Sequence, residues 1–422
     1  MRTTIVLTLT LAPGIWSVGG NSWTQFRGPG GAGRSGATAL PVTWSEHDNV
    51  RWKTAIHGKG WSSPVVWRDQ VWVTTATPDG KERYGVCVDL RTGKVVHDLL
   101  IFTDEKPAFC HPFNSYASPT PAIEEGRVYL HFGNAGTACV DTATGKTLWT
   151  RRDFPCDHWR GPGSSPLLYR DLLFLTFDGY DRQYVVALNK LTGATVWKKD
   201  RSIDYRTQNG DMKKAYGTPT IVEVDGKPQL VSPSAVGTIA YDPVTGTEIW
   251  SVRHGGMNVA QPPLFGRGRL YLCTGDGGFR LYALRPDGHG DVTESHVVWK
   301  HSRNAPSRCG PLLVGGRLYY NNEHGVVTCL NADTGDEIWS ERLTGHFSAS
   351  PLYAGGRLYF FSEDGPAYVA KADKTWQLLA TNTLDDGCMA SPAVAGAALI
   401  LRTKTHLYRI ESTPASGVRP GR

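Results

Sequence analysis

The chain has 422 residues, 40% hydrophobic and 20% charged, a balance ordinary for a globular protein. Its net charge of +6 is spread thinly with no Lys/Arg block, which argues against nucleic acid as a partner. Gly at 48 and Pro at 26 point to many short strands joined by turns.

In chain order, the first feature is Met1-Arg2 followed by a largely apolar run from Ile5 to Ile15 and small residues at Val18-Gly19-Gly20. This pattern reads as a secretory signal peptide over residues 1–20. The run is too short to span a bilayer. An exported protein without a transmembrane anchor is expected, periplasmic or extracellular. Residues 21–43 read as an N-terminal arm. Within it, Gly28-Pro-Gly-Gly-Ala-Gly33 matches a dinucleotide fingerprint in letters only, because neither the strand nor the helix that the fingerprint requires surrounds it.

From residue 44 to residue 411 the sequence repeats. The phrase Cys139-Val-Asp-Thr-Ala-Thr-Gly-Lys-Thr-Leu-Trp149 recurs at Ala187–Trp197, Ala240–Trp250 and Cys329–Trp339, and at Cys87–His97 without the final Trp. Alternation before the Asp, a Thr-Gly turn and a returning segment make each copy a β-hairpin. Ahead of the hairpins lie eight Xaa-Pro steps: Ser63-Pro64, Ser118-Pro119, Ser165-Pro166, Thr218-Pro219, Pro262-Pro263, Gly310-Pro311, Ser350-Pro351 and Ser391-Pro392. Each begins a short inner strand, where Pro is tolerated. Four strands per unit at this period are the blades of a β-propeller.

The last unit lacks its fourth strand, and Asn49-Val-Arg-Trp52-Lys53 supplies one. The expected fold is therefore all-β: an eight-bladed propeller of four-stranded antiparallel blades, closed by an N-terminal strand in the last blade. The outer-strand aromatic series runs Trp52, His97, Trp149, Trp197, Trp250, Trp299, Trp339 and Trp376. Its tryptophans are expected to pack across the neighbouring blade, a structural role. Cys87, Cys139 and Cys329 stand where other copies carry Ala, so they read as small buried thiols.

The phrase and its Trp resemble the tryptophan-docking motif of the pyrroloquinoline-quinone (PQQ) repeat family, the quinoprotein alcohol dehydrogenase-like propellers. The opening Trp23-Thr-Gln-Phe-Arg-Gly-Pro-Gly resembles that of exported PQQ-repeat proteins of planctomycete type. The family contains quinone-dependent alcohol dehydrogenases and also a propeller scaffold of outer-membrane assembly that carries no quinone. No two of the eight cysteines are adjacent and no Cys-x-x-Cys-His occurs, so two marks of the dehydrogenases are missing. The resemblance then implies a non-catalytic scaffold or a ligand- or protein-binding module, with no catalytic residue, metal or cofactor expected. The alternative is a divergent oxidoreductase using PQQ and calcium on an alcohol or sugar.

Two constellations carry the candidate chemistry. Cys110-His111 and Cys156-Asp157-His158 precede two successive inner strands, each His eight residues before its Pro. A Cys110–Cys156 disulfide suits an exported protein; a zinc site of the same four residues, or free thiols, are the alternatives. The polar set His111, Asn114, Tyr116, Asp157, His158, Arg160, Tyr216, Arg253, Asn258 and Arg308 is expected to crowd one face of the channel. There it would bind a small polar ligand or a protein. Asp178, Asp181 and Asp276 read as turn carboxylates rather than calcium ligands.

Overall fold

The computed structural model describes residues 22–278 and 280–412; the expected signal peptide and the tail beyond 412 lie outside them. Eight blades, each built on four antiparallel strands and three of them extended by a short fifth strand, surround a central channel. Their innermost strands are Val65–Trp67, Ala122–Glu124, Leu167–Tyr169, Thr220–Val224, Leu264–Gly266, Leu312–Val314, Leu352–Ala354 and Ala393–Ala395, for blades 1 to 8. Blade 8 takes its outermost strand from Val50–Ala55, antiparallel to His406–Ile410, so the N-terminal strand closes the ring. Arg402, 2% exposed, clamps this junction by donating to Ser62 O, Ser62 Oγ and Thr74 O of blade 1.

The repeated phrase is explained residue by residue. Asp141 Oδ1 accepts the backbone N–H of Ala143 and Thr144, and Gly145 N–H returns to Asp141 O at φ +72°. Only a residue without Cβ adopts that conformation without strain. The small residue lies directly opposite the Trp: Cys139 pairs Trp149, Ala187 pairs Trp197, Ala240 pairs Trp250 and Cys329 pairs Trp339. A β-bulge follows each small residue and twists the outer hairpin.

The Trp side chains reach the next blade. Nε1 of Trp52, Trp149, Trp197, Trp299 and Trp339 donates to Leu90 O, Lys190 O, Pro243 O, Ala332 O and Asp373 O respectively. Gly93, Gly193, Gly246 and Gly335 lie so close over the first four indoles that an added Cβ would stand 2.7–2.8 Å from ring carbons. His97 fills the place of the missing Trp, its Nε2 3.3 Å from Thr142 O. Two positions depart from the pattern. Trp250 donates to Gln229 Oε1, and Gln229 Nε2 passes the link on to Pro286 O, because the enlarged 285–296 hairpin covers Trp250. Trp376 precedes its strand, Leu378–Thr383, and packs 5.2 Å from Trp339.

A second set of links runs around the channel. In six of the eight blades the residue before the inner-strand Pro donates its N–H to the hydroxyl at the same position one blade on. The links are Ser391→Ser63, Ser63→Thr120, Thr120→Ser165, Ser165→Thr218, Gly310→Ser350 and Ser350→Ser391. They correct the register of blade 2. Its inner strand starts after Thr120-Pro121, two residues later than the Ser118-Pro119 step suggests.

The series breaks at blades 5 and 6, where Pro262 and Gly310 carry no hydroxyl. There the arm intervenes. Ser22–Trp23 pairs with blade 1, Thr24 O accepts from Ile123 N of blade 2, and Arg34–Ser35 pairs with blade 7. Between them Arg27 Nη2 donates to Pro311 O of blade 6. The arm thus crosses the channel and stops one end. An added Cβ on Gly310 would lie 1.6 Å from Arg27 Nη1, so the guanidinium occupies the space that a serine side chain takes in blades 7 and 8. We predict that Gly310→Ser costs about 1–3 kcal/mol by overpacking. The cost should vanish in an Arg27→Ala background, where the hydroxyl fits. Urea midpoints of the two single variants and the double variant measure the coupling.

Candidate functional site

With one end stopped, the channel opens only on the face that carries the loops between blades. The cavity there encloses about 210 Å³. Phe26 of the arm lies at its base, and the link residues Ser63, Thr120, Ser165, Ser350 and Ser391 ring it. Trp61, Phe113 and Met389 give apolar surface, while Asn114, Arg160, Tyr216, Asn258, Asp276, Ser307 and Arg308 give polar and charged groups.

These groups are held from several blades. Asn114 Nδ2 donates to Arg160 O and Pro162 O, and its Oδ1 accepts from Ser118 Oγ. Tyr216 OH donates to His158 O. Burial raises the Tyr216 phenol above its ordinary pKa, so it remains a neutral donor. Arg308 comes from the far side of the mouth and lies 4.4 Å over the Phe113 ring. Asn258 sits at φ +54° and donates Nδ2 to Asp276 Oδ2. Its Oδ1 and Ser307 Oγ are buried with no partner. Unsatisfied buried groups are costly, and both belong to residues that line the cavity.

The structure brings together Asn114, Arg160, Tyr216, Asn258 and Arg308 of the sequence set. The other five candidates stand elsewhere. His111 is exposed and its Nδ1 accepts from Phe113 N. Tyr116 packs over Gly80 and beneath Arg83. Asp157 caps its own loop by accepting Trp159 N. His158 is buried under Gly133. Arg253 lies in a separate rim cleft with Asp204 and Asp291, bonded to Asp204 O.

The Cys110–Cys156 disulfide is also corrected: both thiols are free. The two-residue shift in blade 2 removes the equivalence of the loops. Cys110 Sγ lies over Gly161 and donates to Arg160 O at 3.5 Å, whereas Cys156 Sγ packs on Gly179 beside His158 Nδ1. Burial raises the pKa of both, Cys110 to about 11. Among the described residues no three His, Cys, Asp or Glu side chains are grouped to hold a metal ion. Asp178 instead forms a buried pair with Arg201, and Asp181 Oδ1 accepts Asp157 N.

Phe26, Trp61, Phe113, Ser307 and Met389 were invisible as site residues, since no local motif marks a residue that only ring closure brings to the mouth. The Xaa-Pro repeat is the one local signal, because a Pro precedes every inner strand and six of the eight steps are Ser-Pro or Thr-Pro.

These observations define a class, a β-propeller plugged at one end and open at the other. The sequence profile of the family described as outer membrane protein assembly factor BamB matches residues 34–152, 181–307 and 288–413, and the chain belongs to this PQQ-like repeat family. It is 31% identical over 201 residues to the quinoprotein ethanol dehydrogenase of Pseudomonas aeruginosa, a match spanning 44% of this chain and 29% of that protein's length. Its fold is similar to that of a europium-containing methanol dehydrogenase, with TM-score 0.68, 12% identity and 93% and 91% of the two chains covered. BamB from Moraxella catarrhalis gives TM-score 0.61 at 13% identity, with 85% and 99% covered. Among the described residues no helix is long and apolar enough to cross a membrane.

Three buried histidines contribute to the acid response of this scaffold. Loss of hydration lowers the pKa of His131 to about 3, and those of His158 and His254 to about 4. In the unfolded chain each titrates near about 6.5. Between about pH 6.5 and 4 the unfolded chain therefore binds protons that the folded chain does not, so stability falls as pH falls and is whole above that window. Of these residues, His254 bridges Thr238 Oγ1 and Gly255 O. Denaturation midpoints followed from pH 7.5 to 4.5 should give an uptake of about three histidine protons on unfolding near pH 5. His254→Gln should remove about one of them.

Proposed function

We propose that this chain is a non-catalytic binding propeller that takes a small polar anion into the open mouth of its channel. The observation that carries the reading is the pairing of Arg160 and Arg308 on opposite sides of one cavity with the unpartnered Asn258 Oδ1 and Ser307 Oγ. Two guanidiniums suit a carboxylate, which they bind through directed N–H donors. Asn258 Oδ1 can accept from a ligand hydroxyl, and Ser307 can donate to one. A hydroxylated acid satisfies all four groups, and the aromatic faces of Trp61 and Phe113 suit its carbon skeleton.

The similarity to a quinoprotein ethanol dehydrogenase favours a second reading, a quinone- and calcium-dependent oxidoreductase. The fit is partial. Arg160 and Arg308 suit the acid groups of such a quinone. Calcium takes about 6–8 oxygen ligands with several carboxylates, whereas Asp276 is the one carboxylate in the lining and is already bonded to Asn258. The residues present do not fit the metal.

Calorimetry with hydroxylated monocarboxylates should show binding. Arg308→Ala should weaken it by about tenfold or more, the loss of one charged hydrogen bond, with an unchanged melting temperature. No binding of any such acid at millimolar concentration would overturn the reading. Dye-linked alcohol oxidation after addition of PQQ and Ca²⁺ would replace it with the second.

A further inference from the structure

Beside the mouth, three aromatic side chains stand in a row on the open face. Phe109, Trp159 and Tyr180 are 55%, 46% and 42% exposed. Ring centroids are 5.3 Å apart from Phe109 to Trp159 and 6.0 Å from Trp159 to Tyr180, with interplanar angles of 52° and 38°. The rings come from three different segments, and one loop ties them together. Tyr180 N donates to Asp157 O, and Cys110 Sγ and Asn114 Nδ2 both donate to Arg160 O. The row is thus built by the fold rather than left by a floppy loop.

Trp159 itself is held at φ +55°. A bulky residue rarely adopts this conformation, and such strain concentrates where a side chain must be presented to a ligand. The next residue, Arg160, lines the cavity. The row therefore runs outward from the site where the acid group is bound.

We infer that the ligand is an acidic oligosaccharide, with one uronate in the channel mouth and the following sugars stacked along Phe109, Trp159 and Tyr180. This rests on the binding reading above and adds the ligand class. A spacing of about one aromatic width between tilted rings offers successive faces to successive sugar rings. It offers no single flat apolar area. Charges of both signs edge the row at Asp157, Arg160, Asp181 and Arg182, each partly or fully exposed. They serve as acceptors and donors for sugar hydroxyls. A protein partner would instead call for an interface core depleted of charge.

The test is titration of the whole protein with galacturonate, trigalacturonate and neutral cellotriose, followed by calorimetry and by tryptophan fluorescence. The trimer should bind about tenfold or more tighter than the monomer, the worth of one or two stacking contacts, and should shift the fluorescence. Trp159→Ala should abolish that increment and leave monomer binding as it was. Arg308→Ala should weaken both acids. Cellotriose should bind more weakly than trigalacturonate. The inference is overturned if monomer and trimer bind equally, or if Trp159→Ala leaves the trimer unaffected. It is also overturned if Trp159 is needed only for capture of a protein. Monomer binding without a trimer increment sinks the platform and spares the mouth. A Trp159-dependent trimer insensitive to Arg308→Ala does the reverse.

Discussion

The geometry of this molecule depends on one small contact made repeatedly: a backbone N–H at the channel donating to the hydroxyl of the next blade. It joins Ser391 to Ser63, Ser63 to Thr120, and so on round most of the circle. Each link is a buried neutral hydrogen bond worth about 1 kcal/mol net. Its larger effect is on register. A blade that starts its inner strand one residue early or late would leave an amide and a hydroxyl unpaired in the core. The outer Trp and His97 contacts fix blades at the rim, so the interfaces from blade 8 round to blade 4, and the one between blades 6 and 7, are pinned at two radii. Closure by Val50–Ala55 then completes blade 8, so the last blade has its outer strand like the others.

The interruption in this circle is as informative as its continuity. Gly310 lacks a hydroxyl because Arg27 needs the space. Burial pulls the Arg27 pKa down to about 10, its Nε and Nη1 have no partner, and its neighbours include the thiols of Cys273 and Cys309 rather than a carboxylate. The arm is kept in place by strand pairing at both of its ends and by this one inserted cation. What would be an open tube becomes a vessel with a floor, and Phe26 is part of that floor.

Much of the fold was legible because it is written locally and eight times over. Asp141, Thr144 and Gly145 form their turn with no help from distant residues, and each copy repeats it. The site was legible only in part because its residues are local to nothing. Arg308 meets Phe113 across the mouth, and no spacing in the sequence states that contact. Two Pro residues in Ser118-Pro119-Thr120-Pro121 offered two registers, and hydrogen bonding to Ser63 and Ser165 selects the second. That shift of two residues separated His111 from His158 and Cys110 from Cys156. Trp250 failed the local rule for a different reason, since the enlarged 285–296 hairpin beside it moved its acceptor away.

The proposed binding function depends on the asymmetry between the two ends, so the floor matters most. Hydrogen exchange on peptides spanning residues 22–36 and 350–356 tests it most directly. If the arm is a fixed plug, Trp23, Tyr353 and the amides paired with them should exchange as slowly as the inner strands of blades 1 and 7. Exchange of these amides within seconds, while the blades stay protected, would mean a channel open at both ends and would contradict this account.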